Sequence, residues 1–140
     1  MSDWMVKYKL SGTIPCIRGT PGAETLPFAR EKAGETVLVK QTFDGFQNPQ
    51  LSDYLRQKKK QFVLTAGLVT TICISLTTTS AVQNGFLASV VADCCAAINR
   101  HDEILDWLDG FTLGRTFSED IPEKYDQWQR ALKKLAELEG

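Results

Sequence analysis
Phe62-Val63-Leu64-Thr65-Ala66-Gly67-Leu68-Val69-Thr70-Thr71-Ile72-Cys73 is the stretch that decides the fold of this chain. Its apolar, β-rich opening, Phe62 to Leu68, reads as a buried strand. The threonine-rich continuation reads as a helix over residues 71–84. Threonine is a poor helix former, so tertiary packing must hold that helix. Gly85 closes it, at the place where a helix favours a residue free to adopt positive φ.

Moving outward, residues 87–92 read as another apolar strand, ending at Asp93. Residues 98–108 form an amphipathic helix stopped near Gly110, and residues 115–117 a short strand. A charged helix over 122–138 carries Tyr125, Trp128, Leu132 and Leu135 as its apolar stripe. Upstream, residues 51–57 read as a helix with Leu51, Tyr54 and Leu55 on one side. Residues 43–49 are a loop, and the β-branched run 36–40 (Thr-Val-Leu-Val-Lys) is a buried strand. Glycines and prolines leave residues 1–35 irregular. Continuous apolar strands alternating with helices predict a parallel sheet covered on both faces, a three-layer α/β/α domain spanning residues 1–140. Ligand sites in such sheets lie beyond the C-terminal strand ends. Lys40, Cys73 and Asp93 all fall there.

The composition is that of a globular chain: 140 residues, 43% apolar, 24% charged, formal net charge -1. That balance argues against nucleic acid or an anionic membrane as partner. The Lys58-Lys59-Lys60 run reads as a solvated turn. No signal peptide is seen, and Gln83-Asn84-Gly85 interrupts the least charged stretch, so no membrane span is expected. A cytoplasmic location follows as an expectation. The four cysteines, Cys16, Cys73, Cys94 and Cys95, show no metal-ligand spacing, so they read as free thiols with no metal and no cofactor. Cys94 and Cys95 read as packed, inert thiols. His101, the only histidine, lies in a polar run and reads as a surface residue at a helix start.

Cys73 sits just inside a helix that follows a strand. Unpaired N–H groups and the positive dipole end there favour the thiolate, the nucleophilic form. The same N–H groups suit a developing oxyanion. A lone cysteine early in a helix is more often a small buried hydrophobe. Lys40, read by itself, is first a strand-end lysine reaching for water. The residues taken singly leave both alternatives open.

Taken together they resemble the isochorismatase-like cysteine hydrolases, which include nicotinamidases and ureidoacrylate or carbamoyl amidohydrolases. Gly19-Thr20-Pro21-Gly22-Ala23-Glu24 with Pro27 is similar to that family's GT-x-GAE…P stretch. Val37-Leu38-Val39-Lys40 followed by Phe43-Asp44-Gly45-Phe46 resembles its lysine strand and pocket loop. Residues 51–56 resemble its Leu…Leu-Arg helix, and Val63-Leu64-Thr65-Ala66-Gly67 with Thr70 and Cys73 its nucleophile turn. Ala81, Gly85 and Asp93 fall where later family positions do. The resemblance covers about residues 16–98; the charged, helical part 99–140 diverges.

The resemblance implies hydrolysis of a small amide, imide or carbamoyl compound. Cys73 would attack and form a thioester-type intermediate, with Lys40 supporting the thiolate. The N–H groups of Val69 and Cys73 would form the oxyanion hole, next to a cis peptide at Leu68-Val69. Phe43 and Phe46 would line the pocket. The family's third catalytic residue, an Asp ending its first strand, has no counterpart. Asp3 precedes Trp4-Met5-Val6 with no strand leading into it, and Glu24 sits in a different loop. The expectation is an N-terminally truncated family sheet, with an exposed edge that a homo-oligomer or partner chain would cover. The alternatives are a degenerate, non-catalytic binding or structural subunit, and a redox or sensor protein using Cys73, Cys94 or Cys95.

Overall fold
The computed structural model describes residues 6–12 and 16–139. Asp3, Trp4 and Met5 lie outside the described residues. The chain divides into two compact units, Met1–Val39 and Lys40–Gly140.

In the first unit, helix α1 spans Val6–Ser11, and two single 3-10 turns follow at Pro21–Ala23 and Pro27–Ala29. Each turn opens on a proline, whose fixed φ suits a first helical position. The expected strand over residues 36–40 is not formed. Val37 and Val39 are exposed, and the segment has no regular structure. A strand exists through ladder bonds to a neighbour, and the described three-stranded sheet does not include these residues.

The second unit alternates helix and strand: α2 Pro49–Gln57, β1 Phe62–Leu68, α3 Ser75–Gln83, β2 Leu87–Ala96, α4 His101–Asp109, β3 Arg115–Thr116 and α5 Ile121–Glu139. Both strand pairings are parallel, with Phe62 opposite Leu87 and Val90 opposite Arg115. α2 starts cleanly because Asn48 accepts from the Gln50 N–H and Pro49 takes the first helical position. Gly85 ends the α3 segment at φ +84, a value that costs glycine little.

Two apolar clusters hold the unit together. Ile74, Val90, Ala92, Leu105 and Leu108 form one, with Cys95 and Ile104 against it. Ala81, Phe86 and Ala88 form the other, flanked by Phe46, Leu55, Val63 and Val82. A fully buried Val or Leu contributes roughly 1.5–3 kcal/mol, so Val90, Leu105 and Leu108 are principal anchors. The Thr65 and Thr78 hydroxyls meet at 2.7 Å and link β1 to α3. That pair explains how a threonine-rich helix stays in place.

Alternation along β1 turns Val63 and Thr65 inward and Leu64 and Leu68 outward. Both leucines are exposed. Phe62, on the outward side, stacks on Trp128 of α5 with ring centroids 4.7 Å apart. Coverage of β1 on its second face is therefore partial. Tyr125, expected on the α5 apolar stripe, is exposed, while Trp128 is buried. Among the described residues, no helix is long and apolar enough to cross a membrane.

Candidate active site
The strand reading of Phe62–Leu68 holds to the residue. The segment after it departs from a plain helix. Gly67 takes φ +126, which a side chain would strain, and the β1–β2 register shifts between Thr65 and Gly67. The Leu68-Val69 peptide is cis. Thr70–Ile74 then form a single π-helical turn before α3 begins at Ser75. The Val69 carbonyl accepts from both the Ile72 and Ile74 N–H groups, closing the turn. Such widened turns occur often at functional sites. Cys73 stands near the end of this turn, half-buried.

Lys40 comes to the same place. Its Nζ lies 3.8 Å from Cys73 Sγ and donates to the Thr42 carbonyl at 2.9 Å. The loop behind Lys40 is strapped to α3 at two points. The Gly45 N–H donates to Thr77 Oγ1 at 2.9 Å, and the Ser80 hydroxyl donates to Asp44 Oδ2 at 2.6 Å. Asp44 also takes the Phe46 N–H at 2.9 Å, capping the 3-10 turn Gly45–Gln47. Gly45 itself has no room to spare: an added Cβ would come within 3.2 Å of Thr77 Cγ2 and 3.3 Å of Leu51 Cδ2. The cation beside Cys73 is thus set by a loop fastened to Cys73's own helix.

The aromatic pair of that loop divides. Phe43 is half-buried. Phe46 packs against Phe86, ring centroids 5.6 Å apart, and joins the Ala81 and Ala88 cluster.

Asp93, expected at a strand end beside the site, lies inside β2, which continues to Ala96. Its carboxylate takes the Ser118 hydroxyl at 2.5 Å and the Ser118 N–H at 2.8 Å. The Ser118 hydroxyl bond, foremost, holds the Asp93 carboxyl below the usual range. Asp93 therefore fastens the turn that leads into α5.

The two late cysteines also part company, because successive strand residues face opposite sides. Cys94 is exposed, which corrects the reading of both as packed thiols. Cys95 is half-buried against the Ile74 cluster, and burial pushes its thiol above an ordinary cysteine, against a smaller pull from the Gly67 backbone.

His101 overturns its surface reading. It is half-buried, and its Nδ1 lies 2.9 Å from Oγ1 of Thr70, a fully buried residue of the Thr70–Ile74 turn. A signal for this was present: His101, Leu105 and Leu108 share one helical face at i, i+4 and i+7. The polar neighbours of His101 masked it. Among the described residues, no three His, Cys, Asp or Glu side chains converge as a metal site.

The isochorismatase domain model matches residues 3–134 of this chain. An uncharacterized isochorismatase family protein of Bacillus subtilis is 34% identical over 77 residues, covering 55% of this chain and 43% of its own length. The nicotinamidase of Escherichia coli is 29% identical over 97 residues, covering 60% and 45% respectively. Among solved structures, N-carbamoylsarcosine amidase from Thermoplasma acidophilum superposes with a TM-score of 0.69 at 27% identity, over 81% of this chain and 65% of that one. The chain spans about half the length of the curated relatives it matches. With a family match over nearly all its residues and the fold to go with it, this chain belongs to the isochorismatase family.

Proposed function
We propose that the chain carries the nucleophile part of a hydrolase site that cleaves a C–N bond in a small amide, imide or carbamoyl compound. The observation that carries this reading is the approach of Lys40 Nζ to Cys73 Sγ on the turn that ends β1. An ammonium beside a thiol favours the thiolate, the attacking form. The thiolate adds to the carbonyl carbon, and the N–H groups of Val69 and Cys73 hold the resulting oxyanion. Collapse of that adduct expels the amine, which takes up, through water, the proton the thiol released, and leaves a thioester on Cys73. Water then attacks the thioester, releasing the acid and restoring the thiol. Phe43 forms a wall of the substrate pocket, and Phe46 contributes to that pocket from its anchorage on Phe86. The names of the relatives supply the first substrates to try, nicotinamide and N-carbamoylsarcosine.

The test follows iodoacetamide alkylation of Cys73 at pH 7 by peptide mapping, in wild type and Lys40→Ala. Cys73 reacting faster than exposed Cys94, and slowing when Lys40 is removed, supports the reading. Equal rates in the two proteins would remove its basis. Product release from either amide by wild type but not by Cys73→Ala carries the reading to activity.

A second reading, a non-catalytic binding subunit, is favoured by one observation. β1 is an edge of the described sheet, with Leu64 and Leu68 exposed along it. Such an edge invites another chain. A concentration-dependent mass in sedimentation, with no amide turnover, would select this reading.

A further inference from the structure
We propose that His101 is a positioning residue, which orients the backbone turn carrying Cys73 through its hydrogen bond to Thr70. The proposal rests on the reading of Cys73 as the nucleophile. Thr70 directly follows Val69 and opens the π-helical turn that contains Cys73. Its side chain is fully buried, so its hydroxyl is costly to leave unpaired. His101 Nδ1, 2.9 Å away, is the partner.

The grip of α4 on this turn has two ends. His101 holds Thr70 at its start, while Leu105 and Leu108 pack with Ile74 at its close. Cys73 lies between these anchors. The apolar end is non-directional; it sets how closely the turn approaches α4. The hydrogen bond is directional; it sets the turn's rotation. That rotation decides where the Val69 N–H and the Cys73 thiol point relative to Lys40. Which atom donates, hydroxyl or ring nitrogen, depends on the histidine tautomer.

Three substitutions separate positioning from mere packing. His101→Leu fills similar volume without a polar atom. Thr70→Val removes the hydroxyl at constant shape. His101→Asn keeps a hydrogen-bonding atom close to the place of Nδ1. The readout is the alkylation rate of Cys73 at pH 7, with exposed Cys94 as internal control. His101→Leu and Thr70→Val are each expected to slow Cys73 about fivefold, the scale of one lost hydrogen bond. His101→Asn is expected near wild type, and the double variant no slower than either single one. A His101→Leu protein with the wild-type rate overturns the proposal. So does an Asn variant as slow as the Leu variant, or losses that simply add.

The contact can also be read without substitution, from the histidine ¹⁵N spectrum of the wild-type chain. A single held tautomer is expected; two tautomers in rapid exchange overturn the proposal even if the variants fail to fold. Lys40→Ala, run alongside, judges the nucleophile pair separately. If it leaves the rate unchanged while the His101 series behaves as expected, the pair reading falls and the positioning role stands.

Discussion

Lys40 Nζ lies 3.8 Å from Cys73 Sγ although 33 positions separate the two residues in sequence. The lysine is exposed, so the pair is open to ionic screening. At physiological ionic strength charge interactions are screened over about 8 Å, and over about 3 Å at 1 M. We expect Cys73 alkylation at pH 7 to slow severalfold between low salt and about 1 M NaCl. Lys40→Ala should show little of this dependence. A wild-type rate indifferent to salt would disconnect the cation from the thiol.

The Lys40 loop depends on Thr77, which accepts the Gly45 N–H at 2.9 Å. Thr77→Val keeps the shape and removes the acceptor. It should lower stability by about 1 kcal/mol and bring the Cys73 rate toward that of Lys40→Ala. Thr77→Ser, which retains the hydroxyl, should recover both. Urea unfolding and peptide-mapped alkylation on the same samples check this.

α5 is fastened to β1 by the stacking of Trp128 on Phe62. Trp128 is buried, so Trp128→Ala removes a large packed side chain and should cost about 3–5 kcal/mol. The urea midpoint reports it. A loss below about 1 kcal/mol, the range of a surface substitution, would mean that α5 contributes little to the fold.

Asp93 gives the chain an acid-sensitive joint. Its carboxyl lies below the usual range, first because of the Ser118 hydroxyl, so the folded state favours the ionised form. The stabilisation is present above an ordinary Asp value of about 3.9. It is lost as pH falls through the lower folded value. Ser118→Ala should flatten the fall in unfolding midpoint over the lowest part of an acid titration. It should leave the midpoint's pH dependence near neutrality unchanged. An acid profile identical to wild type would mean that the Asp93–Ser118 bond does not link α5 to pH.

Cys95 behaves in the opposite sense. Burial raises its thiol, so folding favours the neutral form. That stability is present below an ordinary thiol value of about 8.5 and is lost as pH rises through the higher folded value. Cys95 should alkylate more slowly than its neighbour Cys94 near pH 8.5. Equal rates would mean that the Ile74 cluster does not shield it.

The sequence by itself determined the central strand–turn–helix. Phe62–Leu68 was legible because an apolar, β-rich run follows a polar turn, and Cys73 because it comes just after that strand. The helix over residues 71–84 was legible in place but not in kind, since its first turn is π-helical and spacing does not distinguish that from α. Tertiary structure decided the rest. Residues 36–40 carry strand composition yet stay irregular, because strand structure depends on long-range pairing that local composition does not encode. Asp93 turned to Ser118, 25 positions away, and His101 to Thr70, 31 positions away. Polar side chains find partners by proximity after folding, and local periodicity carries no record of which distant hydroxyl will come within hydrogen-bonding reach.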